Sequence, residues 1–63
     1  MTPREREILN LLATGLSNTA IGTQLGLAPK TVANNVSTIF TKLAVADRPS
    51  AIVQARNAGL GNP

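Results

Sequence analysis

The sequence contains no Cys, His, Trp or Tyr, and its one aromatic residue is Phe40. Without Cys there is neither a disulfide nor a thiolate metal site, and without His the commonest metal ligand and general base is missing. Carboxylates are almost as scarce, with Glu5, Glu7 and Asp47 the only three. Acid–base chemistry is therefore thinly supplied, and an enzyme is nearly excluded before any motif is sought. Long hydrophobic runs are lacking too, since none approaches the roughly 18 residues needed to span a bilayer. The apolar stretch over residues 8–16 is broken by Asn10 and Thr14, unlike the apolar segment of a secretory leader. These absences lead us to expect a cytoplasmic protein with no membrane contact, no cofactor, no metal and no small-molecule ligand.

What is present fits one small domain of 63 residues. At this size folding removes only about 60% of the unfolded chain's surface from water, so the core must be economical and help from a partner is plausible. Six Lys or Arg against three Asp or Glu give a net charge of +3, and the isoelectric point is about 10.8. That balance favours an anionic partner, either nucleic acid or an acidic protein surface. Three excess charges also lie within the ordinary solubility range, so charge alone decides little.

Punctuation and period predict four helices. Thr2-Pro3-Arg4-Glu5 carries a hydroxyl at a cap position, Pro at the first helical position and Glu at the third, the signature of a capping box. From there Ile8, Leu9, Leu11 and Leu12 cluster on one side at 100° per residue, with Arg6, Asn10 and Ala13 facing away and Gly15 closing the helix. Ser17 is a second cap, opening a short helix over Asn18–Leu25 that should bury Ala20, Ile21 and Leu25 before turning at Gly26. Gly22 inside it costs about 1 kcal/mol relative to Ala, which suggests that another helix crosses close by. Pro29 then suits the first turn of a third helix, and the few Gly-containing residues between the two have the spacing of a helix-turn-helix.

The third helix is the informative one. Val36, Ile39, Phe40 and Leu43 all fall within about 80° of Val32 on the wheel, so one side is continuously apolar. The other side carries Lys30, Asn34, Ser37, Thr38 and Thr41. A merely solvated face is usually built from Glu and Lys, which form helix well; Asn, Ser and Thr do not, so something other than helix stability accounts for them. Beyond Leu43, Asp47 and Pro49 predict a fourth helix running to about Ala58. Ala51, Ile52, Ala55 and Ala58 make an inner stripe; Pro49, Val53 and Leu60, flanked by Arg56 and Asn57, make a second that a monomer would leave wet. Residues 61–63 are expected to fray.

Taken together, Thr2-Pro3-Arg4-Glu5-Arg6-Glu7-Ile8-Leu9, Gly15-Leu16-Ser17-Asn18, Ile21, Leu25-Gly26-Leu27, Lys30-Thr31-Val32 and Lys42-Leu43 resemble the LuxR-type helix-turn-helix domain of the LuxR/NarL regulators. The likeness extends from Thr2 to about Leu60, and its separate blocks keep their spacing. It implies an all-α, four-helix fold, a three-helix core plus a C-terminal dimerisation helix, filling residues 1–63 with the helix-turn-helix at about 17–36. It also implies that the chain is the C-terminal piece of a longer regulator, that the third helix enters the major groove of double-stranded DNA, and that a homodimer forms on DNA, with RNA polymerase a further partner. The chain departs from the family pattern at several points. Ala33 stands where a Lys or Arg is usual, Asn35 where His is frequent, Thr19-Ala20 where Lys-Glu is common and Ala44 where Gly commonly follows.

Asn34 and Asn35 are the leading candidates for base or phosphate contact, because a carboxamide can bond adenine's N6/N7 edge in bidentate fashion; the alternative is neutral filler on a surface helix. Lys30, Thr31, Ala33, Ser37 and Thr38 join them as DNA-facing residues. For Thr31 a capping role stands beside that reading. Asn18 and Thr19 open the second helix, where free amides favour a phosphate oxygen, or else they complete the Ser17 cap. Lys42 can reach a phosphate or pair with Glu5. Arg48 reads as a structural ion-pair or cap residue, with a phosphate contact the lesser reading, and Phe40 as packing. The alternative to DNA binding is a helix-turn-helix turned protein-interaction module; a promoter-contacting module of the sigma-factor kind is weaker for want of a basic recognition helix.

Overall fold

Thr2 opens the chain with the expected capping box. Its hydroxyl accepts from the Glu5 amide at 3.2 Å while its own amide donates to Glu5 Oε1 at 2.9 Å. The computed structural model describes residues 1–61, and among them the architecture is all-helical: α1 (Pro3–Ala13), α2 (Asn18–Leu25), α3 (Pro29–Leu43) and α4 (Arg48–Asn57). None of these helices is long and apolar enough to cross a membrane. The later starts follow local chemistry as well. Ser17 Oγ accepts from the Ala20 amide at 3.1 Å, and Asp47 Oδ1 from the Ser50 amide at 2.8 Å. Pro occupies the first turn of α1, α3 and α4, where the missing N–H costs nothing.

The α1 helix is the hub, packing on α2, α3 and α4, while α2 and α4 do not pack on each other. Ile8, Leu12, Ile21, Val32 and Ile39 are fully buried, each contributing about 1.5–3 kcal/mol of transfer free energy. Leu9, Val36, Ala51 and Ala55 complete the centre, and Phe40 packs at its edge as expected. Because α1 is wrapped rather than laid on a surface, two residues expected to face away from the core do not. Ala13 is fully buried, and half-buried Asn10 accepts the Gly61 amide through Oδ1 at 2.8 Å. A Cβ on Gly61 would come 2.7 Å from the Ala13 Cβ, so the chain beyond α4 is seated against α1 instead of fraying there. The rest of that expectation, at residues 62 and 63, lies outside the described residues.

Two further expectations, on α2 and α4, change, while that at Gly22 holds and is extended. There α3 does pass close, with Val32 Cγ2 3.4 Å from where a Cβ would sit, and the Leu27 carbonyl of Gly22's own turn is a nearer obstacle. That turn closes through the Leu27 amide donating to the Gly22 carbonyl at 2.8 Å, with Gly26 left-handed at φ 71°. Ala20 and Leu25 of α2 are only partly buried. On α4, Ala58 is exposed, and Leu60 turns inward to pack on the core because its amide bonds back to the Ala55 carbonyl at 2.9 Å. The outer ridge of α4 is thus Pro49, Val53 and Asn57 at i, i+4 and i+8, with Val53 58% exposed.

Candidate nucleic-acid interface

The apolar side of α3 is turned to α1 and α2, which leaves Lys30, Thr31, Ala33, Asn34, Ser37, Thr38 and Thr41 exposed. Within that set, Lys30, Ala33, Asn34, Ser37 and Thr41 follow i, i+3, i+4, i+7 and i+11, one continuous ridge. Asn35 falls on the flank: it is half-buried, and its Nδ2 donates to the Thr31 carbonyl at 2.8 Å. The hydroxyls of Thr38 and Thr41 donate to the carbonyls of Asn34 and Ser37 at 3.1 and 3.2 Å.

The start of α3 differs from the other three helix starts. Ala28 holds the cap position and, among the described residues, no side-chain cap bond is made there, by Thr31 or any other residue. The positive end of the helix dipole is left open beside the Lys30 ammonium. At the start of α2, Asn18 does not reinforce the Ser17 cap. Its Oδ1 accepts from Arg48 Nη1 at 2.9 Å, and Arg48 Nη2 donates to the Leu16 carbonyl at 2.7 Å. Arg48 is therefore a structural tie made to an amide and a carbonyl, with no carboxylate involved. Thr19 is exposed, and its carbonyl accepts from the Thr23 hydroxyl at 3.1 Å.

Lys42 in the last turn of α3 is held by Glu5, with Nζ 2.7 Å from Oε1. That oxygen also accepts from the Thr2 amide and hydroxyl, at 2.9 and 3.0 Å. The Lys42 bond, followed by the Thr2 amide, holds the Glu5 carboxyl down at about 2. Arg56, expected on the outer stripe, instead reaches α1, where Nε and Nη2 donate to the Ala13 carbonyl at 3.2 and 3.1 Å. This tie had no local signature in the sequence. On the surface, Arg4 pairs with Glu7 at 3.2 Å. The stretch from Ser17 to Ala44 has no Asp or Glu, so the helix-turn-helix carries positive formal charge only.

Comparison with known proteins agrees with this architecture. Residues 1–55 match the family model described as "Bacterial regulatory proteins, luxR family". The chain is 44% identical to the "Probable transcriptional regulatory protein NarL" of Mycobacterium tuberculosis over 55 residues, 87% of this chain and 26% of that protein. It is also 44% identical to the "Transcriptional regulatory protein DegU" of Brevibacillus brevis over 59 residues, 94% of this chain and 25% of that protein. A third relative, the "Transcriptional regulatory protein LiaR" of Bacillus subtilis, is 44% identical over 62 residues, 98% of this chain and 29% of that protein. The chain therefore spans between a quarter and a third of the length of these relatives. With the helix-turn-helix resemblance, the four-helix fold and the family match in agreement, the chain belongs to the luxR family of bacterial regulatory proteins, as a regulatory domain and not an enzyme.

Proposed function

We propose that the chain is the DNA-binding output domain of a cytoplasmic transcriptional regulator, with α3 lying in the major groove of double-stranded DNA. The observation that carries this is the exposed, short-chained polar ridge of α3 within a helix-turn-helix free of carboxylates. Short side chains let the helix backbone approach the base edges. The open amides at the start of α3 and the Lys30 ammonium suit a phosphate oxygen, and Asn18, turned by Arg48, offers its Nδ2 to another. Lys42 keeps an N–H for a phosphate even while bonded to Glu5, because an ammonium has three donors.

Two copies are proposed to sit side by side on a two-fold site, meeting along Pro49, Val53 and Asn57. Half-sites one helical turn apart lie roughly 34–36 Å from centre to centre, and a domain of 27 × 26 × 20 Å fits that spacing. Arg56 and Leu60 support this contact indirectly, by seating α4 and the segment after it on α1. In a full regulator RNA polymerase is a further proposed partner.

A salt series of duplex binding by wild type and Ala33→Lys tests the reading. Affinity should fall steeply with salt, and the added ammonium should steepen the slope by about 0.9 for each phosphate it neutralises. Salt-insensitive binding, with no change on Ala33→Lys, would replace the DNA reading with the protein-interaction module, which the thin charge of the ridge favours.

A further inference from the structure

The α3 ridge is narrow in its chemistry. Asn34 is an exposed carboxamide with no side-chain bond inside the described residues, whereas Asn35 has spent an amide proton on Thr31. With their hydroxyl protons used within the helix, Thr38 and Thr41 offer a methyl and an acceptor oxygen but no donor. Ala33 offers a methyl. No Arg lies on α3, and of its two Lys, Lys42 is bound to Glu5 while Lys30 sits in the first turn beside the open amides. Guanine is read at O6 and N7 chiefly by Arg or Lys, adenine at N6 and N7 by a carboxamide, and thymine through its C5 methyl by small apolar groups.

We infer that the half-site recognised by α3 is rich in A·T pairs, with Asn34 reading an adenine and the Ala33 methyl lying against the methyl of a neighbouring thymine. This rests on the major-groove placement proposed above and names what that placement reads. Preference for A·T can also arise from duplex deformability, so the experiment must alter single base atoms and leave the sequence unchanged.

Duplexes of about two helical turns with randomised centres are enriched on the wild-type chain at low salt, and the enriched sequences are then rebuilt with two changes. Replacing N7 of the critical adenine by carbon should weaken binding about tenfold, the scale of one bidentate contact, and replacing thymine by uracil should weaken it less. In Asn34→Ala, whose helix propensity only improves, the N7 penalty should vanish while the salt slope stays as in wild type. Enrichment of G·C half-sites, an N7 penalty undiminished in Asn34→Ala, or a base preference abolished by Lys30→Gln would overturn the inference. A steep salt slope with no base preference would overturn it and leave DNA binding standing. Absence of duplex binding at any salt would remove both.

Discussion

The guanidinium of Arg48, the first residue of α4, donates at 2.9 Å to the side-chain oxygen of Asn18, the first residue of α2. With its second bond, to the Leu16 carbonyl, it is the tie between two helices that do not pack on each other. Together with the packing of α4 on α1 and α3, this side chain helps to fix α4, with its exposed Val53 ridge, relative to the start of α2.

Arg48→Ala should destabilise the domain by about 2 kcal/mol, because it strips a charged donor from two partly buried acceptors. Arg48→Lys should recover only part of that, since an ammonium cannot reproduce the planar fork. Urea midpoints for the three proteins decide the matter, and an Ala variant as stable as wild type would leave the tie without energetic weight.

Acid should act through Glu5. Its carboxyl titrates at about 2 in the folded chain against an ordinary 4.5, so the unfolded state binds a proton that the native state refuses. The stabilisation is fully present above pH 4.5 and is lost as the pH falls toward about 2. Asp47 is lowered too, by the Ser50 amide, so wild type alone does not isolate Glu5. Denaturation of wild type and Glu5→Gln across this window should show the steeper loss in wild type; parallel curves would show that the Lys42 and Thr2 bonds contribute nothing to acid sensitivity.

Ala44 ends α3 at φ 56° and ψ 42°, and among the described residues it is the non-glycine with positive φ. The left-handed turn is enforced by the Val45 amide bonding back to the Phe40 carbonyl at 3.0 Å. An L-residue there costs roughly 1–2 kcal/mol, partly offset by the larger entropy that Gly loses on folding. Ala44→Gly should therefore stabilise the fold by about 1 kcal/mol. A lower denaturant midpoint in the variant would refute this.

Val53→Asp should leave the monomer's stability within about 0.5 kcal/mol, because the side chain is exposed. It should, however, weaken assembly of two copies on a duplex bearing two half-sites. Sedimentation of the protein–DNA complexes measures this, and equal two-to-one complexes for both proteins would count against the α4 ridge.

Helix starts were legible in the sequence because a cap is a contract among four consecutive residues: Thr2 with Glu5, Ser17 with Ala20 and Asp47 with Ser50 needed nothing distant. The apolar side of α3 was legible for the same local reason, since period alone places Val32, Val36 and Ile39 together. Lys30, Asn34 and Ser37 of the ridge followed as its complement, while Ala33, at the margin of the two sides, was added by the family resemblance.

What only the tertiary structure decided depends on long-range neighbours that no window of sequence contains. A helical wheel assumes one buried side, and α1 has more than one, so Ala13 and Asn10 were misplaced until α4 and Gly61 closed over them. The fate of the cations was legible only in part. Lys42 meets Glu5 across 37 positions, one of the two partners the sequence offered it, and Arg48 is structural as read but meets Asn18 across 30. The bond of Arg56 to Ala13 across 43 had no local signature, and tertiary packing chose among these partners. The amino-acid sequence by itself determined where helices begin, which side of α3 is apolar and which residues remain to face outward, because those are local and periodic properties. Which charges stay free for a partner was decided by packing, because a long cationic side chain takes whichever oxygen the fold brings within reach.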